Sequence, residues 1–288
     1  MPNNYHSKPP KTVLITGCSS GIGHCVAMGL HTRGYRVFAT ARKQRDVEAL
    51  RQQGLHALLL DLDDSQSIKN CVSRILIETE GRIDVLFNNG AYGQPGAVED
   101  LRRDVMRAQL ETNLLGTLEL TNLVIPVMRQ QGFGRIIQNS SILGFIALPY
   151  RGAYNVSKFA LEGLSDTLRL ELRGTNIHVV LIEPGPIVSR FRHNAFAYYQ
   201  KNIKPDNSAH RETYQRLEQR LTKAGPAAPF TLPPEAVLKK VLHAIESPRP
   251  KPRYYVTFPT YLFALLKRLL PHRAMDWALS RVSRNENK

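Results

Sequence analysis

The junction near the start of the chain constrains the fold more than any other feature. Residues 12–16 (TVLIT) form a short β-rich run, Gly17, Gly21 and Gly23 follow at once, and an amphipathic stretch of helix length comes next. A run that is apolar at successive positions has the pattern of a strand buried on both faces, as in a parallel sheet. Runs of the same kind recur at 36–40 (RVFAT), 55–61 (LHALLLD), 83–87 (IDVLF), 135–140 (RIIQNS), 177–183 (IHVVLIE) and 253–257 (RYYVT). Between them lie helical stretches at 23–33, 45–52, 65–80, 102–129 and 153–172. Parallel neighbours require crossovers of helix length, and these cover both faces of the sheet. The expected architecture is α/β: a doubly wound parallel sheet of about seven strands, with a helical extension at its C-terminal end.

All 288 residues are read as one domain, because α/β folds of this size are often single units. Three segments stand outside the alternation. Residues 1–11 are a polar, Pro-rich tail, expected to be flexible; 191–234 follows the sixth strand, where a substrate-covering insertion would sit; and 257–288 is the helical extension.

The glycines fit a dinucleotide site. Gly17 permits a tight turn, Gly21 lets the backbone approach a pyrophosphate, and Gly23 allows close packing of the helix on the strand. The helix start then offers N–H groups and a positive dipole end to phosphate. This makes the sheet of Rossmann type, although the spacing is GxxxGxG and not the GxGxxG of the general fingerprint. At the end of the next strand a carboxylate would bind the ribose 2′-hydroxyl of NAD, whereas an arginine accommodates the 2′-phosphate of NADP. The chain reads Thr40-Ala41-Arg42-Lys43, which favours NADP(H) over NAD(H).

Tyr154 and Lys158 lie four apart in a helical stretch, so they stand on one helix face. A phenol with an ordinary pKa near 10 is a poor base at neutral pH. An adjacent ammonium favours phenolate, so Lys158 is expected to move Tyr154 downward. Tyr154 would then exchange a proton with a substrate oxygen while a cofactor carries the hydride.

With these motifs in place, the sequence resembles the short-chain dehydrogenase/reductase family over roughly residues 12–189. The family's glycine motif matches Thr16–Gly23, and its YxxxK matches Tyr154 and Lys158. Its catalytic serine lies thirteen residues before the tyrosine, which selects Ser141, and its structural asparagine matches Asn113. The resemblance implies that Ser141 holds the substrate oxygen, that Lys158 also binds the nicotinamide ribose, and that Asn113 supports a water relay to Lys158. It implies cofactor contacts from Gly17, Ser19, Ser20, Gly21, Ile22, Gly23, Arg42, Asp61, Leu62, Asn89, Gly90, Tyr154, Lys158, Pro184, Gly185, Ile187 and Ser189. Two positions depart from the pattern: Asn88-Asn89-Gly90-Ala91 stands where NNAG is usual, and Ser189 where threonine is usual. The cofactor half looks most like NADP-linked members acting on hydrophobic alcohols and carbonyls, among them steroid, retinoid and long-chain aldehyde enzymes. It also implies a homodimer or homotetramer formed through the 102–129 and 153–172 helices. A non-catalytic nucleotide-binding or redox-sensing protein is the alternative, and the Ser141–Tyr154–Lys158 set argues against it.

Charge and composition bear on partners and location. The formal charge is +15, and 247–288 alone carries nine Lys/Arg against two acidic residues. No helix-turn-helix, zinc-finger or RNP pattern is present, so nucleic acid is not expected. Tyr254, Tyr255, Phe258, Tyr261, Phe263 and Trp277 interleave with Arg253, Lys267, Arg268, Arg273 and Arg281. Two readings stay open for that segment: an interfacial helix in peripheral contact with an anionic membrane, or a helix packed over the pocket or a subunit partner. Cys18, Cys25 and Cys71 form no CxxC pair, which points to a reducing compartment without structural metal or disulfide. With no signal-peptide core and no apolar run of the 18 or so residues a membrane span needs, a cytoplasmic protein is expected.

Overall fold

The computed structural model describes residues 10–226 and 228–286. Most of the expected N-terminal tail and the last two residues of the extension lie outside these. Lys11, at the tail's inner end, donates to the carbonyl of Ile245 at 3.2 Å.

Seven strands alternate with helices: β1 (Thr12–Ile15), β2 (Arg36–Ala41), β3 (His56–Leu59), β4 (Val85–Asn88), β5 (Gly134–Asn139), β6 (Ile177–Glu183) and β7 (Arg253–Tyr255). They form one sheet in the order β3-β2-β1-β4-β5-β6-β7. Every pairing is parallel, as β1–β4 shows, with Val13 opposite Val85 and Ile15 opposite Phe87. The chain reverses its direction of travel across the sheet between β1 and β4. A crevice opens at the carboxyl ends of the strands at such a switch point, and ligands bind there.

Alternate residues of each strand feed two cores. On one face Val13, Ile15, Val37, Ala39 and Phe87 pack under α1 (Gly21–His31), α2 (Gln44–Gln52) and α9 (Glu235–Glu246). On the other, Leu14, Phe38, Leu86 and Ile136 pack under α3 (Ser65–Glu78) and α5 (Gly116–Gln130). The period-two alternation of a strand thus becomes burial on both sides.

The helix expected over 102–129 is interrupted. α4 (Arg103–Leu110) and α5 are joined by a π turn, Glu111–Leu115, that contains Asn113. The rest of the helical layer is α6 (Gly152–Glu171), α7 (Phe191–Asn202), α8 (Arg211–Thr222), α10 (Phe258–Leu269) and α11 (His272–Glu286). α7 and α8 share a small core of their own around Tyr199, Tyr214 and Ile203. α10 and α11 pack through Phe263, Met275 and Leu279 onto Leu143 and Ile146. No described helix is long and apolar enough to cross a membrane.

Candidate active site

The turn after β1 is built from two left-handed glycines, Gly17 (φ +69°) and Gly21 (φ +59°). A Cβ on Gly17 would stand 2.8 Å from the Cα of Gly90, and one on Gly23 would stand 2.3 Å from the Gly17 carbonyl oxygen. Glycine is therefore required where the loop after β4 presses on the loop after β1 and where α1 folds back on its own entry turn. Thr16 Oγ1 accepts the N–H groups of Asn89 (2.9 Å) and Gly90 (2.7 Å). Asn89 donates to the carbonyls of Thr16 and Gly17 and accepts from Asn139 at 2.9 Å. A Cβ on Gly90 would stand 3.1 Å from Leu62 and 3.2 Å from Thr16 Oγ1, so position 90 too is tightly packed. Cys18 is core, its backbone N–H bonded to Thr40 and its thiol pushed up to about 12 by burial.

At the other end, β5 and the turn after it deliver Asn139 and Ser141, and the first two turns of α6 deliver Tyr154 and Lys158. Ser141 opens a short 3₁₀ turn, where its hydroxyl accepts the Leu143 N–H at 3.1 Å. It also bonds the Tyr154 hydroxyl. The Lys158 ammonium donates to the Asn139 carbonyl at 2.7 Å and lies 5.7 Å from the Tyr154 ring centroid. Asn113 donates to the Tyr92 carbonyl (2.9 Å) and to Ser157 Oγ (3.1 Å), and accepts from the Tyr92 N–H. Its side chain thereby pins the loop after β4 against α6.

The expected fall in the Tyr154 pKa is corrected by the structure. Burial pushes the phenol up to about 12, with the Ser141 hydrogen bond working the other way. Burial also brings the Lys158 ammonium down to about 8, against the opposing influence of Glu162. With its ammonium turned onto a main-chain carbonyl, Lys158 does not offset the desolvation of the phenol.

A cavity of about 610 Å³ joins the two ends. Gly17, Ser19, Ser20, Gly21, Ile22, Asn89 and Gly90 line one end, and Ser141, Tyr154 and Lys158 the other, with Pro184, Gly185, Ile187 and Ser189 between β6 and α7. The volume lies in the range of small-molecule and cofactor sites. Arg42, Asp61, Leu62, Gly23 and Asn113 do not line it. Leu62 and Asn113 are buried behind the wall. Arg42 is turned onto Tyr198 of α7, and that bond, with Asp61 and Asp63 nearby, holds its guanidinium firmly charged. Tyr198 in turn stacks on Tyr92 at 4.0 Å.

Several lining residues escaped the sequence reading. Phe191 meets the Tyr154 ring edge-on at 5.2 Å, and Leu143, Leu148, Leu217 and Leu221 add apolar wall. Phe191, Leu217 and Leu221 belong to the segment after β6, and their apolar character inside a polar stretch was the available signal.

Behind Lys158 lies a charge cluster that sequence reasoning also missed. Arg253 of β7 meets Glu162 (3.2 Å), Asp166 (2.6 Å) and Glu183 (3.1 Å). Burial holds Glu162 and Glu183 above the usual carboxylate range, and Arg253 opposes this.

Comparison with known proteins bears on this geometry. The family model of the short chain dehydrogenase matches residues 11–200. An uncharacterized oxidoreductase of Escherichia coli, YbbO, is 42% identical over 266 residues, covering 92% of this chain and 93% of that protein. Human 17-beta-hydroxysteroid dehydrogenase type 1 is 34% identical over 258 residues, covering 85% of this chain and 77% of that protein. Among solved structures, a short-chain dehydrogenase from Streptomyces avermitilis superposes with a TM-score of 0.75 at 27% identity, covering 97% of this chain and 99% of that one.

Proposed function

The chain belongs to the short chain dehydrogenase family of oxidoreductases, and on that footing we propose that it interconverts hydrophobic alcohols and their ketones or aldehydes with NADP(H). The observation that carries this reading is the single cavity linking the glycine loop to Ser141, Tyr154 and Lys158. The loop's left-handed glycines and the start of α1 line one end of that cavity, where backbone N–H groups would hold a pyrophosphate. A bound nicotinamide supplies or accepts the hydride.

The residues of the chain handle the proton. Ser141 orients the substrate oxygen, and Tyr154, kept neutral by burial, donates its phenolic proton as the carbonyl is reduced. Lys158 keeps its ammonium on the Asn139 carbonyl beside the Tyr154 ring, where it would bind the nicotinamide ribose. With its phenol protonated at neutral pH, Tyr154 is in the form that carbonyl reduction uses, whereas alcohol oxidation draws on its small phenolate fraction.

Cofactor choice rests on Arg42, which follows β2 where Thr40 and Ala41 leave no carboxylate. A charged guanidinium suits a 2′-phosphate. Phe191, Leu143, Leu148, Leu217 and Leu221 suit an apolar substrate, and the human relative is named for hydroxysteroids. The three cysteines are free thiols, in keeping with a cytoplasmic setting. Leu115, Val156 and Leu170 stand exposed on the π turn and α6, and they support a homodimer or homotetramer through these helices.

Incubation with NADPH or NADH and a panel of hydrophobic ketones and aldehydes tests the proposal. Consumption of NADPH in preference to NADH is expected. Absence of turnover with every carbonyl and both cofactors would remove the enzyme reading in favour of a nucleotide-binding regulator.

A further inference from the structure

Helix α10 carries two apolar faces, and the fold uses one. Phe263 and Ala264 are buried. On the opposite side Phe258, Tyr261, Leu262, Leu265 and Leu269 are all exposed, Leu269 at 68% and Phe258 at 57%. Their spacing places them within an arc of about 100° on the helix. Scattered apolar side chains are ordinary at a protein surface, but a continuous stripe marks a place of contact.

The stripe leads to the cavity. Phe230, itself exposed, packs its ring 5.0 Å from that of Phe258. Its neighbours Ala228 and Thr231 line the cavity wall. Apolar surface therefore runs from the cavity rim onto the outer face of α10.

Positive charge flanks the stripe. Lys240 reaches the Tyr261 hydroxyl at 3.5 Å, and Arg268 stands exposed between Leu265 and Leu269. Arg273 and Trp277 are exposed on α11, where the Arg281 guanidinium lies 4.5 Å from the centre of the Trp277 ring. In sequence α11 carries two acidic residues, Asp276 and Glu286, against Arg273, Arg281 and Arg284.

We propose that this face docks on an anionic lipid bilayer, with the α10 stripe at the boundary of headgroups and acyl chains. Arg268, Arg273 and Lys240 would meet the headgroups. The cavity mouth then faces the phase into which apolar carbonyls partition, a consequence that rests on the proposed reaction, whereas the docking does not. A second copy of the chain is the poorer occupant. A two-fold interface sets a patch against itself, which would bring the Arg268 flanks of two chains of charge +15 together, while an anionic surface neutralises them.

Flotation of the full chain with phosphatidylglycerol-rich vesicles, compared with phosphatidylcholine alone, tests the docking. Binding to the anionic vesicles at least roughly tenfold tighter, weakened by salt, is expected. The emission of Trp277, the sole tryptophan, should shift to the blue on binding. Leu265→Ser combined with Leu269→Ser should lower partitioning by roughly tenfold and leave turnover of a water-soluble aldehyde unchanged. Absence of binding to anionic vesicles, or equal binding to both kinds, overturns the proposal. So does a double variant that loses self-association while its vesicle binding stays as before. Should that variant fail to fold, the salt dependence and the Trp277 shift of the native chain still decide. Vesicle binding by a protein that turns over no carbonyl supports the docking and defeats the reaction instead.

Discussion

The Lys158 ammonium donates to the main-chain carbonyl of Asn139 at 2.7 Å, tying the active face of α6 to the end of β5. Asn139 in turn bonds Asn89, and Asn89 bonds the glycine loop, so the two ends of the cavity are held by one set of hydrogen bonds. Because burial brings Lys158 down to about 8, its charge is lost within the working range of the protein. Tyr154 stays protonated there. The kcat/KM for carbonyl reduction should therefore be level below neutrality and fall above about pH 8. Lys158→Met should remove that inflection and lower the rate about a hundredfold. A pH–rate profile of both proteins checks this.

Glu162 raises the Lys158 pKa from one turn further along α6. Glu162→Gln removes that influence and should move the alkaline fall in rate to lower pH by about half a unit. The cofactor Kd, followed by fluorescence at pH 6.5, should not change.

Tyr154→Phe keeps the ring that meets Phe191 edge-on and removes the proton donor. Turnover should fall about 10³-fold, with NADPH binding retained within a few-fold. Single-turnover measurements beside a cofactor titration separate the two effects. Equal turnover in the variant would reject Tyr154 as the acid.

Arg42→Ala should raise the KM for NADPH about tenfold, the worth of a charge-assisted hydrogen bond, and leave that for NADH nearly unchanged. Arg42 exchanges its Tyr198 partner for phosphate in this reading. Tyr198→Phe should accordingly tighten NADPH binding, and cofactor titration of both variants is the check.

Arg253→Met strips the cation from Glu162, Glu183 and Asp166. Loss of one partner from a buried ion cluster costs about 3 kcal/mol or more. Glu162 and Glu183 are held above the usual carboxylate range, so the folded chain keeps protons that the unfolded chain releases. Stability then falls as pH rises from about 4.3 through their raised values. Denaturant unfolding should show the deficit to be larger at pH 8 than at pH 5.

The strands were legible because each is buried on both faces and so reads as an apolar run; Val13, Leu14 and Ile15 leave no polar alternation to confuse the pattern. Shared helix-face spacing likewise brought Tyr154 and Lys158 together on paper. What it did not convey was solvent: the same spacing that places an ammonium near a phenol says nothing of burial, and burial decides the Tyr154 pKa. α7 was missed because Phe191, Phe196, Tyr198 and Tyr199 spread over about 160° of the helix, with Arg192 among them, and define no narrow stripe. α9 was legible and overlooked, since Val237, Leu238, Val241, Ala244 and Ile245 repeat at helical spacing. The Arg253 cluster joins β7 to α6 across some ninety residues of sequence, and no local pattern announces such a meeting.

The π turn at Glu111–Leu115 has a consequence for the timing of the helix that carries it. Val105, Gln109, Asn113, Thr117 and Thr121 are all buried, at intervals of four. In a straight α-helix each such step winds the buried line forward by about 40°, and after four steps it would have left the protein. The wider turn slips the helix back, as a leap day returns a calendar to its season. One extra residue keeps two stretches of a single helix in phase with the same wall, and Asn113, on that slipped turn, faces inward as a result.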